Sequence, residues 1–132
     1  CIGGVILYDE TIKQDISKKI SIPELISKMG SVPGIQIAHA GRKASASPPW
    51  DGGKPLKVGD STWGDPSWEV MGPSAVPLAD GWQTPQAMSE DDISTTINNF
   101  ASSADRAVEA GFKVLEIHGA HGYLIHSFFK IF

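Results

Sequence analysis

The most regular pattern of apolar and polar positions runs from Ser89 to Ala110. Ile93, Ile97, Phe100, Ala101, Ala104 and Val108 recur at helical spacing and fall on one stripe of a 3.6-residue period. Ser89, with Asp92 three residues on, makes a capping-box-like start in which hydroxyl and carboxylate take up free backbone N–H groups. Glu90, Asp91 and Asp92 suit the positive end of the helix dipole, and Gly111 is placed to close the helix in the left-handed conformation. The pattern predicts a helix of about 21 residues, roughly 30 Å long at 1.5 Å per residue.

Shorter apolar runs flank this helix. Lys113 to His118 reads as a strand that follows it directly, and Ile35-Gln36-Ile37-Ala38-His39 as a short buried strand before it. Ile22 to Met29 suggest a helix entered at Ser21 with Pro23 in its first turn, and Gly30 to Gly34 a turn. Cys1 to Tyr8 is weakly patterned and reads as a short strand. Strand, long excursion, helix, strand is a βαβ order, which implies an α/β fold with the two strands parallel. The excursion, Gly41 to Thr84, is rich in Gly, Pro, Ser and Trp and has no period. A loop of that length inside a compact domain is usually functional or disordered. Trp50, Trp63, Trp68 and Trp82 argue against disorder and are expected to pack the loop, although the chain itself supplies little surface for them.

Composition narrows the classes of function. The 132 residues carry 11 Lys and Arg against 15 Asp and Glu, a mild acidic balance that argues against a nucleic-acid or anionic-membrane partner. Lys13, Lys18 and Lys19 read as a solvated face. No apolar run approaches the ~20 residues of a membrane span, and no secretory leader is read at the start. Cys1 is the sole cysteine, so no internal disulfide is expected and the reading is a reducing, cytoplasmic setting. The chain does not begin with Met, which reads as a fragment.

The chemistry concentrates in Glu116-Ile117-His118-Gly119-Ala120-His121-Gly122-Tyr123. A strand that ends by presenting two imidazoles and a phenol offers hydrogen-bond donors and a proton source. Those are the groups needed to polarise a carbonyl and protonate the carbon next to it. Read alone, His118, His121 and His126 could also form a metal trio. No cysteine or carboxylate completes a shell, so no metal is expected. His39 reads as a structural histidine near a strand end, and Arg42 and Lys43 as either approaching a flavin or phosphate or lying in a solvated loop.

Two segments, Gly34-Ile35-Gln36-Ile37-Ala38-His39-Ala40-Gly41-Arg42-Lys43-Ala44-Ser45 and Ala110 through Phe128, resemble the old yellow enzyme family of FMN-dependent ene-reductases. The likeness is greatest to its subgroup with a His-x-x-His pair. The linking text Gly72-Pro73-Ser74-Ala75 and Thr84-Pro85-Gln86-Ala87-Met88-Ser89 resembles the family too, so the likeness covers roughly residues 30–128. Members are TIM (β/α)8 barrels of about 250 residues or more. The resemblance therefore implies a partial barrel: roughly the third and fourth strands, the helix between them, and the long loop. It divides the chain into a divergent segment, residues 1–29, and a partial FMN oxidoreductase domain, residues 30–132.

The same resemblance assigns roles. Gln36 matches the glutamine whose amide contacts the polar edge of the flavin. His118 and His121 match the pair that hydrogen-bonds the substrate carbonyl oxygen, and Tyr123 the residue that delivers a proton to the carbon α to it. Ala38 stands where some members carry a bulky aromatic, which implies a roomier pocket. FMN is implied as cofactor of the complete barrel, NAD(P)H as reductant, and a small-molecule enone as substrate. Cys1 lies too close to Gln36 to match the family's first-strand cysteine, and the family's flavin-phosphate site lies beyond Phe128. The competing expectation is a non-catalytic truncated product that cannot bind flavin alone and associates through open barrel edges.

Overall fold

A computed structural model describes residues 20–62 and 64–129; Trp63 and the strand expected at Cys1–Tyr8 lie outside the described residues. In chain order the elements are α1 (Ile22–Lys28), β1 (Gly34–Ile37), two 3-10 turns (Gly41–Lys43 and Pro49–Asp51), β2 (Ser61–Thr62), β3 (Asp65–Pro66), β4 (Met71–Gly72), β5 (Gln86–Ala87), α2 (Glu90–Glu109), β6 (Val114–Ile117) and α3 (Leu124–Phe129). They fall into two compact units. One holds the described residues up to Ala38 together with Ser94–His118, and the other holds His39–Ile93 together with the residues from Gly119 onward.

The first unit is built on a parallel pair of strands, as the βαβ order predicts. β1 and β6 pair in the register Gly34↔Val114, Ile35↔Leu115, Gln36↔Glu116 and Ile37↔Ile117. Both strands are shorter than the sequence suggests, because Ala38 and His39 leave the ladder before the Gly41 turn. The pair is joined at its start by the Lys113 and Val114 N–H groups, which both donate to the Pro33 carbonyl, at 2.9 and 3.2 Å. α1 begins as expected: the Ser21 hydroxyl accepts the Glu24 N–H at 3.3 Å, and Pro23 occupies the first turn, where its missing N–H costs nothing. Among the described residues of this unit, Pro23, Pro33, Ile37 and Ala107 are buried.

The helix α2 starts with the predicted box. The Ser89 N–H donates to the Asp92 carboxylate at 2.8 Å, and the Asp92 N–H donates to the Ser89 hydroxyl at 3.1 Å. It ends where Gly111 adopts φ +97°, a conformation that favours glycine. Its buried stripe differs from the one read in the sequence. Ala107 is buried, and Ile93, Thr96, Phe100 and Ala104 are half-buried, whereas Ile97 and Val108 are 63% and 70% exposed and Ala101 is exposed. At 3.6 residues per turn, Ile97, Ala101 and Val108 lie roughly 40–80° around the helix from Ile93, on one flank of the buried line. They form an apolar ridge that is left exposed among the described residues.

The second unit holds the long excursion. Among its described residues no regular element between Gly41 and Gln86 exceeds three residues. β2 and β3 form an antiparallel pair and β4 and β5 a parallel one. Order comes instead from side chain to backbone hydrogen bonds. Ser45 is buried in the left-handed conformation (φ 54°), and its hydroxyl accepts the Trp68 N–H at 3.1 Å and the Gln83 amide at 3.3 Å. The same Gln83 amide donates to the Leu56 carbonyl at 2.7 Å, and the Arg42 guanidinium donates to the Val76 and Pro77 carbonyls. Buried polar groups tied in this way hold a segment that has no ladder of its own. The tryptophans do not pack it as expected: Trp50 and Trp68 are exposed, and Trp82 is half-buried.

Candidate active site

The first unit places two of the expected residues on one surface. Side chains alternate across a strand, so the in-register pair Gln36 and Glu116 shares a face, opposite that of Ile37 and Ile117. The ladder continues one step past β6, because the His118 N–H donates to the Ile37 carbonyl at 2.9 Å. His118 therefore keeps the alternation and lies on the face of Gln36 and Glu116. Gln36 is exposed and His118 half-buried.

The second unit holds His121 and Tyr123 in a tight turn. The Tyr123 N–H donates to the Ala120 carbonyl at 3.1 Å, closing a β-turn whose central residues, His121 (φ 56°) and Gly122 (φ 75°), are both left-handed. Positive φ at both central positions is the mark of a type I′ turn. Left-handed conformation suits Gly122 but is uncommon for histidine and costs about 1–3 kcal/mol. Behind the turn, the Tyr123 carbonyl accepts the Ser127 N–H and hydroxyl, both at 2.9 Å, which fixes the start of α3. The Leu124 N–H donates to the His39 carbonyl at 2.9 Å and ties the turn to the segment before Gly41.

Three basic side chains acquire definite roles here. His39 is structural, as expected: its Nδ1 accepts the Gly41 N–H at 3.0 Å, and burial holds the ring below its ordinary pKa. The Lys43 ammonium, read in the sequence as facing flavin, phosphate or solvent, donates to the His121 carbonyl at 2.7 Å. His126 Nδ1 accepts the Gly122 N–H at 2.8 Å. Sequence reasoning passed over both contacts. The second was within reach, since the partners lie only four positions apart. The first spans 78 positions and leaves no local signal. Among the described residues no group of three or more His, Cys, Asp or Glu is placed to hold a metal ion. None of their helices is long and apolar enough to cross a membrane.

An open cleft of about 540 Å³ also runs along Val58, Glu69, Val70, Gln83 and Pro85. It holds none of the four residues singled out in the sequence.

Comparison with known proteins gives a consistent result. The model of the NADH:flavin oxidoreductase / NADH oxidase family matches residues 4–131, a longer stretch than the likeness seen by eye. An NADPH dehydrogenase of Geobacillus sp. (strain WCH70) is 41% identical over 107 residues, covering 81% of this chain and 26% of its own length. The NADH:flavin oxidoreductase FG08077 of Gibberella zeae is 43% identical over 99 residues, covering 72% of this chain and 23% of its own length. Among solved structures, the crystal structure of TcOYE with pHBA superposes with a TM-score of 0.67 at 26% identity, covering 94% of this chain and 34% of that one. The chain thus spans about a quarter of the length of the curated relatives it matches.

Proposed function

The chain belongs to the NADH:flavin oxidoreductase / NADH oxidase family, and from that membership we propose that it supplies the substrate-facing part of an FMN-dependent ene-reductase. Its fold is a mixed α/β piece matching part of an old yellow enzyme barrel, with no closed barrel among the described residues. The reaction is reduction of the activated C=C bond of an α,β-unsaturated carbonyl at the expense of NAD(P)H. The names of the related NADPH dehydrogenases support that reductant.

The observation that carries the reading is the ladder running through His118. It puts the group read as a carbonyl donor on the same sheet face as Gln36, the group read as a flavin contact. The residues fit a flavin by their chemistry. An exposed carboxamide offers one donor and one acceptor side by side, which is what the alternating polar edge of an isoalloxazine takes. When bound, reduced flavin supplies hydride to the β-carbon of the substrate. His118 and His121 each donate an N–H to the carbonyl oxygen, where negative charge grows as hydride arrives. Tyr123 gives its phenolic proton to the α-carbon.

Phenols test the histidine roles, because a phenolate places an oxygen anion where the enolate oxygen would form. In a complete barrel carrying this segment, His118→Ala or His121→Ala should weaken para-nitrophenol binding. A hydrogen bond to a charged group is worth about 1.5–3 kcal/mol, so the loss is roughly ten- to hundred-fold. Titration followed by flavin absorbance reads the change directly, and unaltered affinity in both variants would refute the assignment.

A further inference from the structure

The His121 carbonyl and the Gly122 N–H belong to one peptide plane, and each is held by a side chain. Lys43 Nζ donates to the oxygen at 2.7 Å, and His126 Nδ1 accepts from the nitrogen at 2.8 Å. This plane is the central peptide of the Ala120–Tyr123 turn. Turn types I′ and II′ differ chiefly in the direction of that peptide, so a free turn can flip it while its closing hydrogen bond survives. Flipping would reverse both polar groups and change ψ of His121 and φ of Gly122, the backbone angles that aim His121 and set the path of the chain into Tyr123.

We propose that Lys43 and His126 are positioning residues that lock this peptide and so set the directions of His121 and Tyr123. The inference rests on the reading of those two residues as carbonyl donor and proton donor. The lock has definite chemical requirements. His126 must present an unprotonated Nδ1, which places the proton of the neutral ring on Nε2. Lys43 must reach the carbonyl across the turn, and position 122 must stay side-chain free. A Cβ on Gly122 would come within 3.3 Å of Lys43 Cε, at a φ of +75° that an L side chain rarely adopts. The two contacts also help offset the strain of a left-handed His121, since a charge-assisted hydrogen bond is stronger than a neutral one.

The distinguishing test uses the geometry of the acceptor. Asn carries its side-chain oxygen close to where histidine carries Nδ1, whereas Gln carries its oxygen one carbon further out, near Nε2. In the full-length flavoprotein that carries this segment, His126→Leu, His126→Gln, His126→Asn and Lys43→Met are compared by two measurements. The first is hydrogen exchange of the Gly122 amide. The second is para-nitrophenol affinity. The lock predicts faster Gly122 exchange and roughly ten- to hundred-fold weaker phenol binding in the leucine and glutamine variants, since a misaimed donor forfeits its hydrogen bond to a charged ligand. It predicts wild-type behaviour in the asparagine variant, and weakened phenol binding in Lys43→Met. Equal behaviour of His126→Asn and His126→Gln, or unchanged Gly122 exchange in His126→Leu, overturns the lock. Altered exchange with phenol affinity unchanged both in His126→Leu and in His121→Ala refutes instead the functional reading of the turn on which the proposal stands.

Discussion

His39 lies half-buried two residues past β1, and its Nδ1 accepts the Gly41 N–H at 3.0 Å. Burial lowers its pKa below the ordinary 6.5, and the hydrogen bond likewise requires an unprotonated Nδ1. A group whose folded pKa is depressed contributes stability that is complete above its unfolded value and is lost as pH falls through the folded one. The window here opens near 6.5 and extends downward. An NMR titration of the His39 ring in the folded protein should give a midpoint below 6.5; a midpoint at or above that value would contradict the buried, accepting ring. This residue was readable from the sequence as structural because it ends an apolar strand. Lys43 was not, because nothing local separates a lysine facing solvent from one that reaches a carbonyl 78 positions away.

At the scale of elements, capping chemistry and periodicity gave most of what the structure shows. Ser21 with Pro23 starts α1, and Ser89 with Asp92 starts α2, because short polar side chains meet backbone N–H groups that a helix leaves open. The Asp92 carboxyl lies below its ordinary pKa, chiefly because the Ser89 hydroxyl and then the Ser89 N–H donate to it. Ser89→Ala should cost the folded protein about 1 kcal/mol, with α2 fraying at its first turn. Denaturant unfolding with hydrogen exchange over residues 90–94 measures both, and an unchanged midpoint would show that the box is idle. Periodicity misplaced one flank of α2. It found the apolar positions, yet it could not tell those that are buried or half-buried (Phe100, Ala104 and Ala107) from those left exposed (Ile97 and Val108). Both sets are apolar, and only the neighbours that a helix meets decide between them. The long excursion was illegible for a different reason: Ser45 and Gln83 hold it through hydrogen bonds to backbone groups far off in sequence, and such bonds leave no repeat.

At the scale of the molecule, the first unit exposes Ile22, Leu25, Met29, Val32, Ile97, Val108, Val114 and Ile117, and its sheet has two strands among the described residues. Among the described residues β1 and β6 each keep one unpaired edge, and two strands alone are marginally stable in water. Such a surface suits burial against further barrel strands and helices, in keeping with relatives about three times as long. Expressed by itself, the 132-residue chain should self-associate through these edges and remain colourless in the presence of FMN. Light scattering and quenching of flavin fluorescence test this, and a monomer with saturable micromolar affinity for FMN would contradict it. The central claim, that Tyr123 protonates carbon while His118 and His121 hold the oxygen, is tested most directly by separating the two half-reactions. In a complete barrel carrying this segment, Tyr123→Phe should slow reoxidation of the reduced flavin by an enone by about 10²-fold or more, the usual worth of a positioned acid. Reduction by NAD(P)H, which needs no such proton, should stay near the wild-type rate in the same stopped-flow experiment. Equal losses in the two half-reactions, or full-speed reoxidation, would contradict the account.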